Sequence, residues 1–119
     1  MNNGHSHVLL IEDNPGDADL VRLRLIEGDP AAEVECVTRL ADGLASMAKL
    51  QPSVVLLDLN LPDSRGEDTF HKVLEKAPGV PVVILSGVPR EHLGNVGAAA
   101  ILRKPFDNDQ LITAIRALC

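Results

Sequence analysis

The stretch VVLLDLNLPDSRG, residues 54–66, decides the fold. Val54 to Leu57 is an unbroken aliphatic run, without the polar alternation of a strand that faces water, so it reads as a strand buried on both faces. Such strands belong to parallel sheets, in which crossover helices supply the covering layers. The run stops at an acid, Asp58, after which Gly66 reads as a helix-end or turn glycine. The segment Glu67 to Lys76 then has helical length and stops before Pro78 and Gly79. Outward from this unit the same order of strand, turn and helix recurs. Val8 to Ile11 is a second aliphatic run ended by the acids Glu12 and Asp13, and a helix from about Asp17 to Glu27 stops at Gly28. Glu33 to Val37, Val82 to Leu85 and Ala99 to Leu102 complete five strands. Leu40, Leu44 and Met47 fall at helical spacing, as do Leu111, Ile115 and Leu118, with Ile112 widening the stripe.

Alternating strands and helices imply an α/β fold, and right-handed crossovers leave few ways to join five such units. The leading solution is the flavodoxin-like, doubly wound, five-stranded parallel sheet of order 2-1-3-4-5 with five helices. The fourth helix belongs in Gly87 to Gly97, where Pro89, Gly94 and Gly97 are poor interior helix residues, so it is expected to be short, displaced or irregular. The 119 residues suit a single domain spanning 1–119, with residues 1–6 flexible.

Composition narrows the function classes. A hydrophobic share of 45% and a charged share of 24% describe a soluble globular domain. The aromatic share is 2%, both residues being Phe, so the core is aliphatic and no stacking platform for bases or sugars exists. Eleven basic residues against 17 acidic ones give a net charge of −6, which argues against direct nucleic-acid binding. Cys36, placed in a strand expected to be buried, and Cys119 have no metal-ligand or disulfide spacing, and reduced thiols fit a cytoplasmic location. No apolar run approaches the roughly 20 residues of a membrane span, and Met1 to His7 lack an apolar signal region. His5 and His7 are assigned to a frayed terminus, and His71 and His92 to the surface. Gly43 and Gly66 read as helix-end or turn glycines.

In doubly wound sheets ligands bind beyond the carboxyl ends of the strands, at the point where the strand order reverses. The first strand ends in Glu12-Asp13 and the third in Asp58, so the fold gathers three carboxylates there. At about 5 Å and an effective dielectric near 20, each like-charged pair costs roughly 3 kcal/mol, which raises a pKa or calls for a cation. An all-oxygen, carboxylate-rich site suits Mg²⁺ completed by substrate phosphate. The fourth strand ends in Ser86 and the fifth is followed by Lys104, adding a hydroxyl and an ammonium at the same edge. Taken singly, each of these residues reads as a solvated turn or helix cap, with Asn14 and Asp17 as cap candidates. Their convergence on one edge points to phosphate chemistry.

The segments VLLIEDNPGDADL, VVLLDLNLPDSRG, VVILSG and ILRKPF occur in this order over nearly the whole chain. Together they resemble the characteristic segments of response-regulator receiver domains, the phosphoacceptor domains of two-component signalling. The resemblance implies that Asp58 is the phosphoacceptor, that Glu12 and Asp13 hold Mg²⁺ with Asp58 and the backbone carbonyl of Asn60, and that Ser86 and Lys104 contact the phosphoryl group. It implies a histidine kinase or phosphotransfer protein as donor and a downstream effector as recipient. It also implies partner contact or homodimerisation through the face of the fourth helix, fifth strand and fifth helix. The protein so described is not a metabolic enzyme, although it assists its own phosphorylation and dephosphorylation. Two departures stand out: the interval from Ser86 to Lys104 is about one helical turn shorter than is typical of the family, and Ile101 stands where most members carry Tyr or Phe.

Two alternatives differ at identifiable residues. A Mg²⁺-dependent aspartyl phosphohydrolase would need a second Asp two residues after the nucleophile, where this chain has Asn60. A receiver-fold interaction module that is not regulated by phosphate is compatible with the altered fourth helix and Ile101, but gives no role to the complete set Glu12, Asp13, Asp58, Ser86 and Lys104.

Overall fold

Three strands with almost no polar residue form the centre of the sheet. The computed structural model describes residues 7–87, 100–104 and 108–118. Strands β3 (Val54–Asp58) and β6 (Val82–Ser86) are buried along their whole length, and β1 (His7–Ile11) is buried from Val8 onward. The edges are β2 (Glu33–Val37) and β7 (Ala100–Arg103), which alternate or tail off in burial as one-sided strands do. All four pairings are parallel and the order is β2-β1-β3-β6-β7, the 2-1-3-4-5 arrangement expected from the sequence.

Side-chain alternation divides the interior into two layers. Leu9, Ile11, Val55, Leu57 and Ile84 point to one side, where Leu40 and Met47 of α2 (Leu40–Lys49) and Phe70 and Val73 of α3 (Glu67–Lys76) cover them. Val8, Leu10, Leu56, Val83 and Leu85 point to the other side, under Val21 and Leu25 of α1 (Pro15–Gly28) and Leu111 and Ile115 of α4 (Asn108–Leu118). Each such side chain taken from water contributes about 1.5–3 kcal/mol.

Local chemistry sets the helix ends. The Asn14 side chain accepts a 3.0 Å hydrogen bond from the Asp17 N–H, and Pro15 occupies the first turn where no donor is missed, so α1 begins two residues before the expected Asp17. The N-cap position of α2, Arg39, makes no side-chain cap. Asp63 supplies it from a distant segment: its carboxylate accepts from the N–H groups of Leu40 at 2.8 Å and Ala41 at 3.0 Å. Asp63 lies in the turn of a small antiparallel hairpin, β4 (Asn60–Leu61) with β5 (Ser64–Arg65), which the sequence did not announce.

Several expectations change. Cys36 is exposed, because β2 has a neighbour on one side only and the groove between Cys36, Asp19 and Arg22 stays open. His7 belongs to β1, its N–H bonded to the Ser53 hydroxyl at 3.1 Å, and is not part of a frayed end. Gly43 sits inside α2, where a Cβ would lie 2.5 Å from Cδ1 of Ile11, so it serves close packing of helix on sheet. Gly66, with φ of 70°, is the expected turn glycine and precedes α3. His71 is at the surface, as anticipated. Residues 1–6, the fourth helix expected in Gly87 to Gly97, His92 and Cys119 lie outside the described residues, apart from Gly87 itself. The last expected helix is α4.

Candidate functional site

Parallel register aligns the strand ends on one rim. Ile11 pairs with Leu57, Asp58 with Leu85, and Ser86 with Arg103, so the residues that follow β1 and β7 meet those that end β3 and β6. A cleft of about 730 Å³ opens there, lined among others by Glu12, Asp13, Asp58, Asn60, Ser86 and Lys104. All six site residues expected from the sequence therefore share one cavity.

One carboxylate oxygen each from Glu12, Asp13 and Asp58 lies within 4.8 Å of the others. Glu12 is 2% exposed and Asp58 8%, while Asp13 faces solvent. Buried acids need compensation. The Asn14 N–H donates to Glu12 Oε1 at 3.1 Å, and the Asn60 N–H donates to Asp58 Oδ1 at 2.9 Å. The Lys104 ammonium lies 2.6 Å from Glu12 Oε2, 3.1 Å from Asp17 Oδ2 and 3.3 Å from Asp58 Oδ2. Its backbone is fixed by donation from the Lys104 N–H to the Ser86 carbonyl at 2.6 Å. Ser86 is itself buried.

The electrostatics follow from this packing. Burial pushes the Glu12 carboxyl up to about 7, its hydrogen bond with Asp58 pushes in the same direction, and the bonds from Lys104 and the Asn14 N–H pull against both. Burial opposes the charged form of Lys104, but the hydrogen bond to Glu12 and the charges of Asp58 and Glu12 overcome it and hold the ammonium above the ordinary lysine range. Lys104 thus acts as counter-ion to three acids. The sequence reading assigned it only to a phosphoryl oxygen. It also missed Asp17 as a member of the cluster, although that residue stands one helical turn beyond Asp13.

The donor set suits a hard divalent cation. Three carboxylates from two adjacent strand ends offer only oxygen, and the exposed side of Asp13 leaves room for water and a further ligand. Glu12, Asp13 and Asp58 are the residues that would hold it.

A parallel 2-1-3-4-5 sheet with a carboxylate cleft at its switch point defines a flavodoxin-like α/β domain of the receiver type. Residues 8–116 match the response regulator receiver domain, and the chain belongs to that family. Among its relatives, the probable transcriptional regulatory protein TcrX of Mycobacterium tuberculosis is 30% identical, over 93% of this chain and 48% of TcrX. The KDP operon transcriptional regulatory protein KdpE of Escherichia coli is 34% identical, over 93% of this chain and 50% of KdpE. The chain thus spans about half the length of these two relatives. Among solved structures, the signal receiver domain of a putative Luxo repressor protein from Vibrio parahaemolyticus superimposes with a TM-score of 0.82 at 26% identity, over 95% of this chain and 88% of that one. Several of the similar proteins are named as transcriptional regulatory proteins, and one is a protein-glutamate methylesterase/protein-glutamine glutaminase of Methanospirillum hungatei. No helix among the described residues is long and apolar enough to cross a membrane.

Proposed function

We propose that this receiver domain accepts a phosphoryl group on Asp58 from the phosphohistidine of a histidine kinase or phosphotransfer protein, and that the acyl phosphate alters its contact with a downstream effector. The observation that carries the reading is the position of Asp58: a mostly buried carboxylate that opens onto a cleft shared with Asp13, Ser86 and Lys104. A carboxylate oxygen of Asp58 forms the new bond to phosphorus as the donor's P–N bond breaks, its electron pair returning to the imidazole. Lys104 is within reach of Asp58 and is charged throughout the physiological range, so it can move from Asp58 to a phosphoryl oxygen. The Ser86 hydroxyl stands at the same rim as a donor to the transferred group. Mg²⁺, held by Glu12, Asp13, Asp58 and the Asn60 carbonyl, would neutralise charge on the phosphoryl oxygens. Asn60 in place of a second acid gives an aspartyl phosphohydrolase no general acid.

Intact mass after incubation with acetyl phosphate and Mg²⁺ tests the proposal. The parent protein should gain one phosphoryl group, labile to alkali. The Asp58→Asn variant should gain none, and uptake that survives in this variant would remove Asp58 from the role.

A further inference from the structure

The hairpin β4–β5 is tied down at three points. The Asp63 carboxylate grips the first N–H groups of α2, the Gly66 N–H donates to the Leu59 carbonyl at 2.8 Å, and the Ser64 hydroxyl shares a 2.6 Å hydrogen bond with the fully buried Thr69. A two-residue ribbon standing beside a sheet does not need this much anchorage for its own sake, since isolated hairpins contribute little stability. What it carries is Arg65. Asn60 and Arg65 are directly opposed across the ribbon, and opposed residues project on the same face. Both line the cleft that holds Glu12, Asp13 and Asp58. The Arg65 side chain is exposed and makes no ion pair or hydrogen bond with the described residues.

Lys104, by contrast, is already engaged by Glu12, Asp17 and Asp58. An incoming phosphoryl donor is an anion that must approach four carboxylates facing one committed ammonium. A guanidinium at the rim answers that repulsion and offers paired N–H donors that fit phosphoryl oxygens two at a time.

We infer that Arg65 is a phosphoryl-binding residue of this site, seizing the donor's phosphoryl oxygens at the mouth of the cleft and holding phosphorus toward the Asp58 carboxylate. The inference rests on the function proposed above and assigns that site a substrate contact on the hairpin. It applies to any donor, because the contact is with the phosphoryl group and not with the leaving group.

The test uses the full chain with acetyl phosphate, a donor with no protein surface. The transfer breaks the bond between phosphorus and the acetate oxygen, releases acetate and forms the Asp58 acyl phosphate. Uptake rates at several donor concentrations are followed by intact mass for the parent, Arg65→Ala and Arg65→Lys, and Mg²⁺ affinity without donor is measured on the same proteins. Arg65→Ala should lower the second-order rate roughly 10-fold, the loss of one charge-assisted contact, and Arg65→Lys should fall between. The parent rate should fall more steeply with added salt than that of Arg65→Ala. Mg²⁺ affinity should stay the same or rise in Arg65→Ala, because a positive charge near the acids has been removed. An unchanged rate in Arg65→Ala overturns the inference. So does a parallel loss of rate and Mg²⁺ affinity, which would mean that Arg65 only supports the hairpin. A parent protein that gains no mass overturns the proposed function, and this inference with it.

Discussion

Glu12 is a buried acid whose chemistry departs from its ordinary state. Its folded pKa near 7 stands above the usual 4.5, so between these values the native chain keeps a proton that the unfolded chain has released. The stabilisation from this group is complete below about pH 4.5 and is lost as pH rises to about 7. In metal-free buffer, urea unfolding should show the parent losing up to about 1.4 kcal/mol per pH unit across that window relative to Glu12→Gln. Parallel pH profiles for the two proteins would contradict it. Lys104 gives a second prediction. Replacing it with Met removes a cation 3.3 Å from Asp58, so Mg²⁺ should bind about 10-fold more tightly at pH 8, while phosphoryl uptake collapses. Titration calorimetry and intact mass report the two effects separately, and weakened Mg²⁺ binding would place the ion away from Lys104.

At the level of elements, Gly43 and Gly28 make a pair. Alanine within a helix normally gains up to about 1 kcal/mol over glycine. At Gly43 the added methyl would meet Ile11, which is fully buried between β1 and α2 and cannot swing away, so Gly43→Ala should destabilise by about 1–3 kcal/mol. At Gly28 the methyl meets Ile112 of α4, which is only half-buried and free to turn, so Gly28→Ala should be much milder. Thermal unfolding of both variants checks the order. The same comparison explains what could be read beforehand. The aliphatic runs of β1, β3 and β6 and the caps and stops of α1 and α3 are local signals, and their bounds were legible to within two residues. The acids at the strand ends were legible for the same reason. The packing role of Gly43 and the Asp63 cap on α2 depend on residues more than 20 positions away, and no local pattern encodes them, while the hairpin beneath Arg65 pairs two residues with two, too short a run to show strand alternation. Cys36 was misjudged because an apolar run does not say whether its strand will have one neighbour or two.

Across the whole molecule, the two layers of side chains share the three central strands. Amides of β1, β3 and β6 can exchange only when both layers open, whereas those of β2 and β7 need only an edge to fray. Hydrogen exchange should therefore rank the central three strands slowest, by about 10-fold or more over the edges. Equal protection in β2 and β3 would contradict a hierarchy built on the sheet order. The alignment of the strand ends has a further effect. If β3 slid by one residue against β1, its leucines and valines would exchange layers. If it slid by two, Asp58 would be drawn into the place of Leu56, a position with no access to water and no partner for a charge. Glu12 forbids the corresponding slip of β1. The acids that open onto the cleft are thus also stops that keep the sheet in frame, and a chain that loses them forfeits part of its defence against misaligned pairing along with its chemistry.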